Sequence, residues 1–111
     1  MRVTSALWVS ALVRRYYGMG AIATIARRGA EEAGAIFILV DKLGGGTDLY
    51  GPAPQSSFDE ARPSDRLFQK LADSENAEAI SARIERERKF DPDLWVVAIE
   101  DREGRLLFET V

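Results

Sequence analysis

Two stretches of this chain have no wet side. Ile36-Phe37-Ile38-Leu39-Val40 and Leu94-Trp95-Val96-Val97-Ala98-Ile99 are apolar at every position. A strand turns successive side chains to opposite faces, so each of these runs must be covered from both sides. Such strands belong at the centre of a sheet that carries a further layer on each face. The other segments must supply those layers, and a chain of 111 residues, 46% hydrophobic, has enough apolar side chains for one core.

The covering elements can be read from period and punctuation. Trp8, Val9, Leu12, Val13 and Tyr16 recur at helical spacing and predict a helix from about Ser5 to Tyr17, capped by Thr4 or Ser5 and ended by Gly18 and Gly20. Ala77, Ile80 and Ile84 form a narrower stripe in a second helix, predicted from about Glu75 to Phe90. Asp73 or Ser74 is its expected cap and Asp91-Pro92 its stop. Ala21 to Arg28 reads as a first strand, Ala35 to Leu43 as a second and Thr47 to Gly51 as a third, with Leu67 to Leu71 as a short edge strand. Gly44-Gly45-Gly46 between the second and third reads as a hairpin turn. A phosphate loop would need a helix after it and a Lys-Ser/Thr pair. Asp101 to Gly104 reads as a further hairpin turn, leading to a closing strand from Arg105 to Val111. The expectation is a single α+β domain over residues 1–111, of order α-β-β-β-α-β-β. Its sheet is mixed and largely antiparallel, of about five strands, with helices on opposite faces.

The chemistry available is bounded by what is missing. The sequence contains no histidine and no cysteine. It therefore builds no Ser-His-Asp triad, no thiol centre and no Cys/His zinc site. No cofactor and no metal ligand set is implied. The net charge of −3 conceals an asymmetry. The first thirty residues carry Arg2, Arg14, Arg15, Arg27 and Arg28 and no acid, while all 18 acids lie beyond them. Overall acidity argues against nucleic acid as a partner. No stretch is long and apolar enough for a membrane span, and Ala6 to Val13 is too short and too closely followed by Arg14-Arg15 to read as a signal peptide. A cytoplasmic location is the expectation.

Four blocks, taken in order, resemble a known family. They are Thr4-Ser5-Ala6-Leu7-Trp8-Val9-Ser10-Ala11-Leu12, Arg28-Gly29-Ala30-Glu31-Glu32-Ala33-Gly34-Ala35-Ile36, Leu49-Tyr50-Gly51-Pro52-Ala53-Pro54-Gln55-Ser56 and Phe90-Asp91-Pro92-Asp93-Leu94-Trp95-Val96-Val97. Together they are similar to the short bacterial proteins classed as Domain of Unknown Function 1491. The resemblance implies a small bacterial protein and carries over no catalytic residue.

The residues offer two arrangements of paired acids that enzymes use. The element order invites comparison with the restriction-endonuclease-like core, which gathers magnesium with an acid on the second strand and an acid-x-Lys on the third. Here Asp41 and Asp48 take the acid positions, but Tyr50 stands where the lysine belongs. Asp91 and Asp93 form a second close pair, which reads as a structural turn. The residues favour a non-catalytic interaction or ligand-binding module. The alternative is a small enzyme acting on a phosphorylated or nucleotide-like substrate. The candidate binding residues are Arg27 and Arg28 at the end of the first strand, with Tyr50, Gln55 and Ser56 at a proline-stiffened loop. Arginine grips carboxylate or phosphate in a fork, so the expected partner is a protein or a small anionic ligand. Pairing of the closing strand with a second copy would make a homodimer.

Overall fold

The computed structural model describes residues 3–54 and 66–111. Its elements are α1 (Ser5–Gly18), β1 (Ile22–Arg27), β2 (Ile36–Asp41), β3 (Thr47–Pro52), β4 (Leu67–Glu75), α2 (Ala77–Phe90), β5 (Trp95–Glu100) and β6 (Glu109–Thr110). One six-stranded sheet takes the order β1-β5-β2-β3-β4-β6. β1/β5, β2/β3 and β3/β4 pair antiparallel, while β2/β5 and β4/β6 pair parallel. The α+β class and the mixed, largely antiparallel sheet agree with the sequence reading.

The two doubly apolar strands, β2 and β5, lie side by side inside the sheet. Their alternate residues feed two separate cores. Ile36, Ile38, Val40, Trp95, Val97 and Ile99 pack with Val9, Leu12 and Tyr16 of α1. Phe37, Leu49, Leu94 and Val96 pack with Ile80 of α2, and Leu39 and Ile84 join them half-buried. The helices therefore cover opposite faces, as β2 and β5 require.

The helix starts are set by side-chain caps. Thr4 Oγ1 accepts from the Leu7 amide at the start of α1. Asn76 Oδ1 accepts from the Ala79 amide at the start of α2, which corrects the expected cap at Asp73 or Ser74. Those two residues instead extend β4, which runs nine residues to Glu75 rather than stopping at Leu71. The carboxylate of Asp48 on β3 accepts from the Ser74 amide and holds Ser74 at φ 54 in an irregular stretch of the β3/β4 ladder.

The closing segment also departs from expectation. Asp101 to Gly104 turns as predicted, with Gly104 at φ 63, but no hairpin with β5 follows. Tyr16 donates its hydroxyl proton to the Arg105 carbonyl and accepts from the Leu107 amide. The tail is thereby drawn across the α1 face. Phe108 meets Tyr50 and Phe68 edge-on, and Glu109–Thr110 pairs with β4 at the far edge of the sheet.

At the opposite edge, backbone presses directly on backbone. A Cβ at Gly29 or Gly34 would stand 2.1 or 2.2 Å from the Asp93 carbonyl oxygen, so only glycine admits this approach. Ala30 donates its amide to the same carbonyl, and Ser5 Oγ donates to the Gly34 carbonyl. The β1–β2 loop is thus clamped between the start of α1 and the start of β5, which fixes where Arg27 and Arg28 emerge.

Candidate functional site

Arg27 is the last residue of β1, opposite Val96 of β5, just past a register shift in the ladder. Its Nη2 donates to the Pro92 carbonyl at 2.8 Å. Its Nε is buried and has no hydrogen-bond partner. The side chain forms one wall of a groove of about 400 Å³ between α2 and the β1-β5-β2 side of the sheet. Ala26, Leu39 and Val96 make the floor, and Ile80 and Ile84 of α2 make the opposite wall. Glu85 and Arg88 line the same groove and pair with each other, Arg88 Nη2 lying 2.9 Å from Glu85 Oε1. The Glu85 carboxyl is held below its ordinary pKa by Arg88 first, with a smaller contribution from Arg27. Of the three charged side chains that line the groove, Glu85 and Arg88 pair with each other, and Arg27 adds a further positive charge and a donor without an acceptor.

The other sequence-derived candidates are spread over the molecule. Arg28 points to the α1 side, its guanidinium 5.2 Å from the Trp95 ring centroid in a cation–π contact. Tyr50 is 4% exposed, enclosed in the α1-side core against Phe108. Two strands, β5 and β2, separate β1 from β3, which puts Tyr50 about 14 Å from Arg27 at about 4.8 Å per strand, on the other face. Gln55 and Ser56 lie outside the described residues. The structure therefore brings Arg27 to a groove and does not bring Tyr50 to it.

Neither acid pair forms a catalytic arrangement. Val40 is paired with Asp48 and Asp41 with Thr47, so Asp41 and Asp48 fall on opposite faces of the sheet. Asp48 is buried, its Oδ1 3.2 Å from Lys42 Nζ and its Oδ2 3.6 Å from Lys70 Nζ. Burial pushes its pKa up, but the Ser74 amide and the two ammonium groups outweigh this and leave it below the ordinary value. Asp91 Oδ1 accepts from the Asp93 amide, closing the turn after α2. Among the described residues no three Asp, Glu, His or Cys side chains gather in a group suited to a metal ion.

Sequence reasoning missed Ile84, Glu85 and Arg88 as neighbours of Arg27. The stripe of Ala77, Ile80 and Ile84 identifies α2 as a covering helix, but not that β5 inserts between β1 and β2 beneath it. A second hollow of about 360 Å³ lies between Trp8, Arg15 and Leu106 to Glu109, and Arg66 at its edge donates to the Val3 carbonyl. Among the described residues no helix is long and apolar enough to cross a membrane.

No curated protein matches this chain. Solved structures do. The solution structure of a protein from A. tumefaciens is 45% identical, with a TM-score of 0.79, covering 90% of this chain and 86% of that one. The crystal structure of a DUF1491 family protein from Caulobacter crescentus is 35% identical, with a TM-score of 0.80, over 100% of this chain and 99% of that one. An NMR structure of a DUF1491 family protein from the same organism gives 35% identity and a TM-score of 0.79, over 100% and 98%. A family model described as "Protein of unknown function (DUF1491)" matches residues 3–109. With that match over nearly the whole length, and the same fold in these relatives, the chain belongs to the DUF1491 family.

Proposed function

We propose that this protein is a non-catalytic binding module that recognises an anionic group carried on an apolar body, at the groove between α2 and β1. The observation that carries this reading is the buried, unpartnered Nε of Arg27 on the wall of an apolar groove. A desolvated donor without an acceptor costs about 1–3 kcal/mol. A carboxylate or phosphate that drew the guanidinium toward the groove would recover that cost and add a charge-assisted bond. Ala26, Leu39, Ile80, Ile84 and Val96 would take the apolar body.

Octanoate is the simplest probe of this chemistry. It should shift the methyl resonances of Leu39, Ile84 and Val96 saturably, while octanol of the same chain length binds about tenfold more weakly, a difference of about 1.4 kcal/mol. Arg27→Gln should remove the preference for octanoate and leave the melting temperature close to wild type. Equal binding of the acid and the alcohol, unchanged by Arg27→Gln, would sink the reading.

A further inference from the structure

The two edges of the sheet are treated differently. The β4 edge carries Lys70, Asp73 and Glu75, two irregularities in its ladder, and β6 laid over Leu67 and Phe68. Charges, bulges and covering segments are the means by which proteins keep a sheet edge from pairing. The β1 edge has almost none of them. Ile22 to Ala26 is uncharged, contains no proline and pairs on one side with β5 alone. Among the described residues no backbone hydrogen bond reaches its outer side. Ile22 is half exposed, and Thr24 and Ala26 are exposed on the α2 side of the same strand. The single register shift lies at its end, between Ile25 and Arg27.

We propose that the outer edge of β1 is a strand-addition site for an extended acidic segment of another protein. This rests on the reading of Arg27 above and names the carrier of the anionic group. An added strand turns successive side chains to opposite faces of the sheet. Arg27 and Arg28 are arranged the same way at the end of β1, one in the α2-side groove and the other over Trp95 on the α1 side. Both guanidiniums lean inward, Arg27 to the Pro92 carbonyl and Arg28 over Trp95, and two consecutive acids in an added strand, one on each face, would draw them to the edge.

Charge selects this occupant over a second copy of the chain. α1 and β1 lie within the first thirty residues, which carry five arginines and no acid. Antiparallel pairing of two β1 strands would bring Arg27 and Arg28 of each copy against a stretch of the other that holds no acid to pair with them. Parallel pairing in register would set Arg27 against Arg27. An acidic segment meets the same arginines as partners instead.

The test uses the whole protein and the peptide acetyl-Glu-Asp-Val-Thr-Val-Thr-Glu-Asp-amide, which presents an acid pair in either direction. Binding below about 1 mM is expected, with amide shifts and slowed hydrogen exchange confined to β1 and its flanks. Two versions N-methylated on alternate residues, one for each edge of the peptide, keep the charge and remove one row of donors. The version whose methyl groups face β1 should bind at least about tenfold more weakly. So should the peptide with Gln and Asn in place of its acids. Equal binding of both N-methylated versions, or no binding at about 1 mM, overturns strand addition, and retained binding of octanoate would then show that the groove reading survives. Binding lost on N-methylation but unaffected by Arg27→Gln overturns the Arg27 reading and with it the acidic partner. A free protein that is dimeric with its β1 amides already protected overturns the proposal in favour of a second copy.

Discussion

The carboxylate of Asp101 accepts from the Glu103 amide and from the amide, Nε and Nη2 of Arg105. The arginine fork is the largest influence on it and lowers its pKa to about 2, from an ordinary value of 3.8. Asp48, with Ser74, Lys42 and Lys70 around it, is also depressed. A carboxyl that is more acidic folded than unfolded contributes stability above its unfolded pKa and loses it as pH falls through the folded one. The stability of this protein should therefore be flat from pH 7 to about pH 5 on account of these groups and decline toward pH 2. Urea midpoints measured across that range should show the decline. Asp101→Asn removes the fork as well as the charge. It should cost about 2 kcal/mol at pH 7, in the usual range for hydrogen bonds to charged groups, and should flatten the acid limb. An unchanged limb in that variant would mean that Asp48 and the surface acids carry the acid sensitivity.

At the scale of elements, the tail shows how one distant group overrides a local pattern. Arg105 to Val111 looks like the returning arm of a hairpin, because Gly104 completes a turn and apolar residues follow it. What sends it elsewhere is the Tyr16 hydroxyl, bonded on both sides to the tail, together with Phe108 over Tyr50 and Phe68. Tyr16→Phe keeps the ring and removes both bonds. It should leave α1 in place, cost about 1–2 kcal/mol, and speed amide exchange at Leu107 and Val111. Exchange unchanged there would show that Phe108 alone holds the tail. The same contrast separates what could be read from the sequence. β2, β5 and both covering helices were legible because their period is written within each segment. Arg27 was legible as an arginine ending a strand. The groove beside it was not, since it needs β5 between β1 and β2 and Ile84 from a third segment. Tyr50 beside Pro52 and Pro54 reads as an exposed anchor, yet Phe108, 58 positions further along, covers it.

Across the whole molecule, the two layers over the sheet are unequal in depth. The α1 side buries residues from α1, β1, β2, β3, β4 and β5, and the tail closes over it. On the α2 side the buried set is Phe37, Leu49, Ile80, Leu94 and Val96, and Ile80 is the only buried residue of α2. Ile84, the next residue of its stripe, is half-buried on the groove wall. Cooperative stability should accordingly reside in the sheet and α1, while α2 opens at lower free energy. Leu12 is 1% exposed among large neighbours, so Leu12→Ala should cost about 3–4 kcal/mol and lower the global transition. Ile80 is 4% exposed but sits in the thin layer, so Ile80→Ala should cost about 2 kcal/mol, at the low end for buried isoleucine. Its effect on exchange should be largest at the amides of Ala77–Phe90 and smaller at those of β2 and β5. If α2 and α1 exchange with the same free energy in the wild type, and Ile80→Ala lowers both equally, α2 is part of the cooperative core. The groove beside Arg27 would then be a rigid cleft and not one whose outer wall can move to admit a ligand.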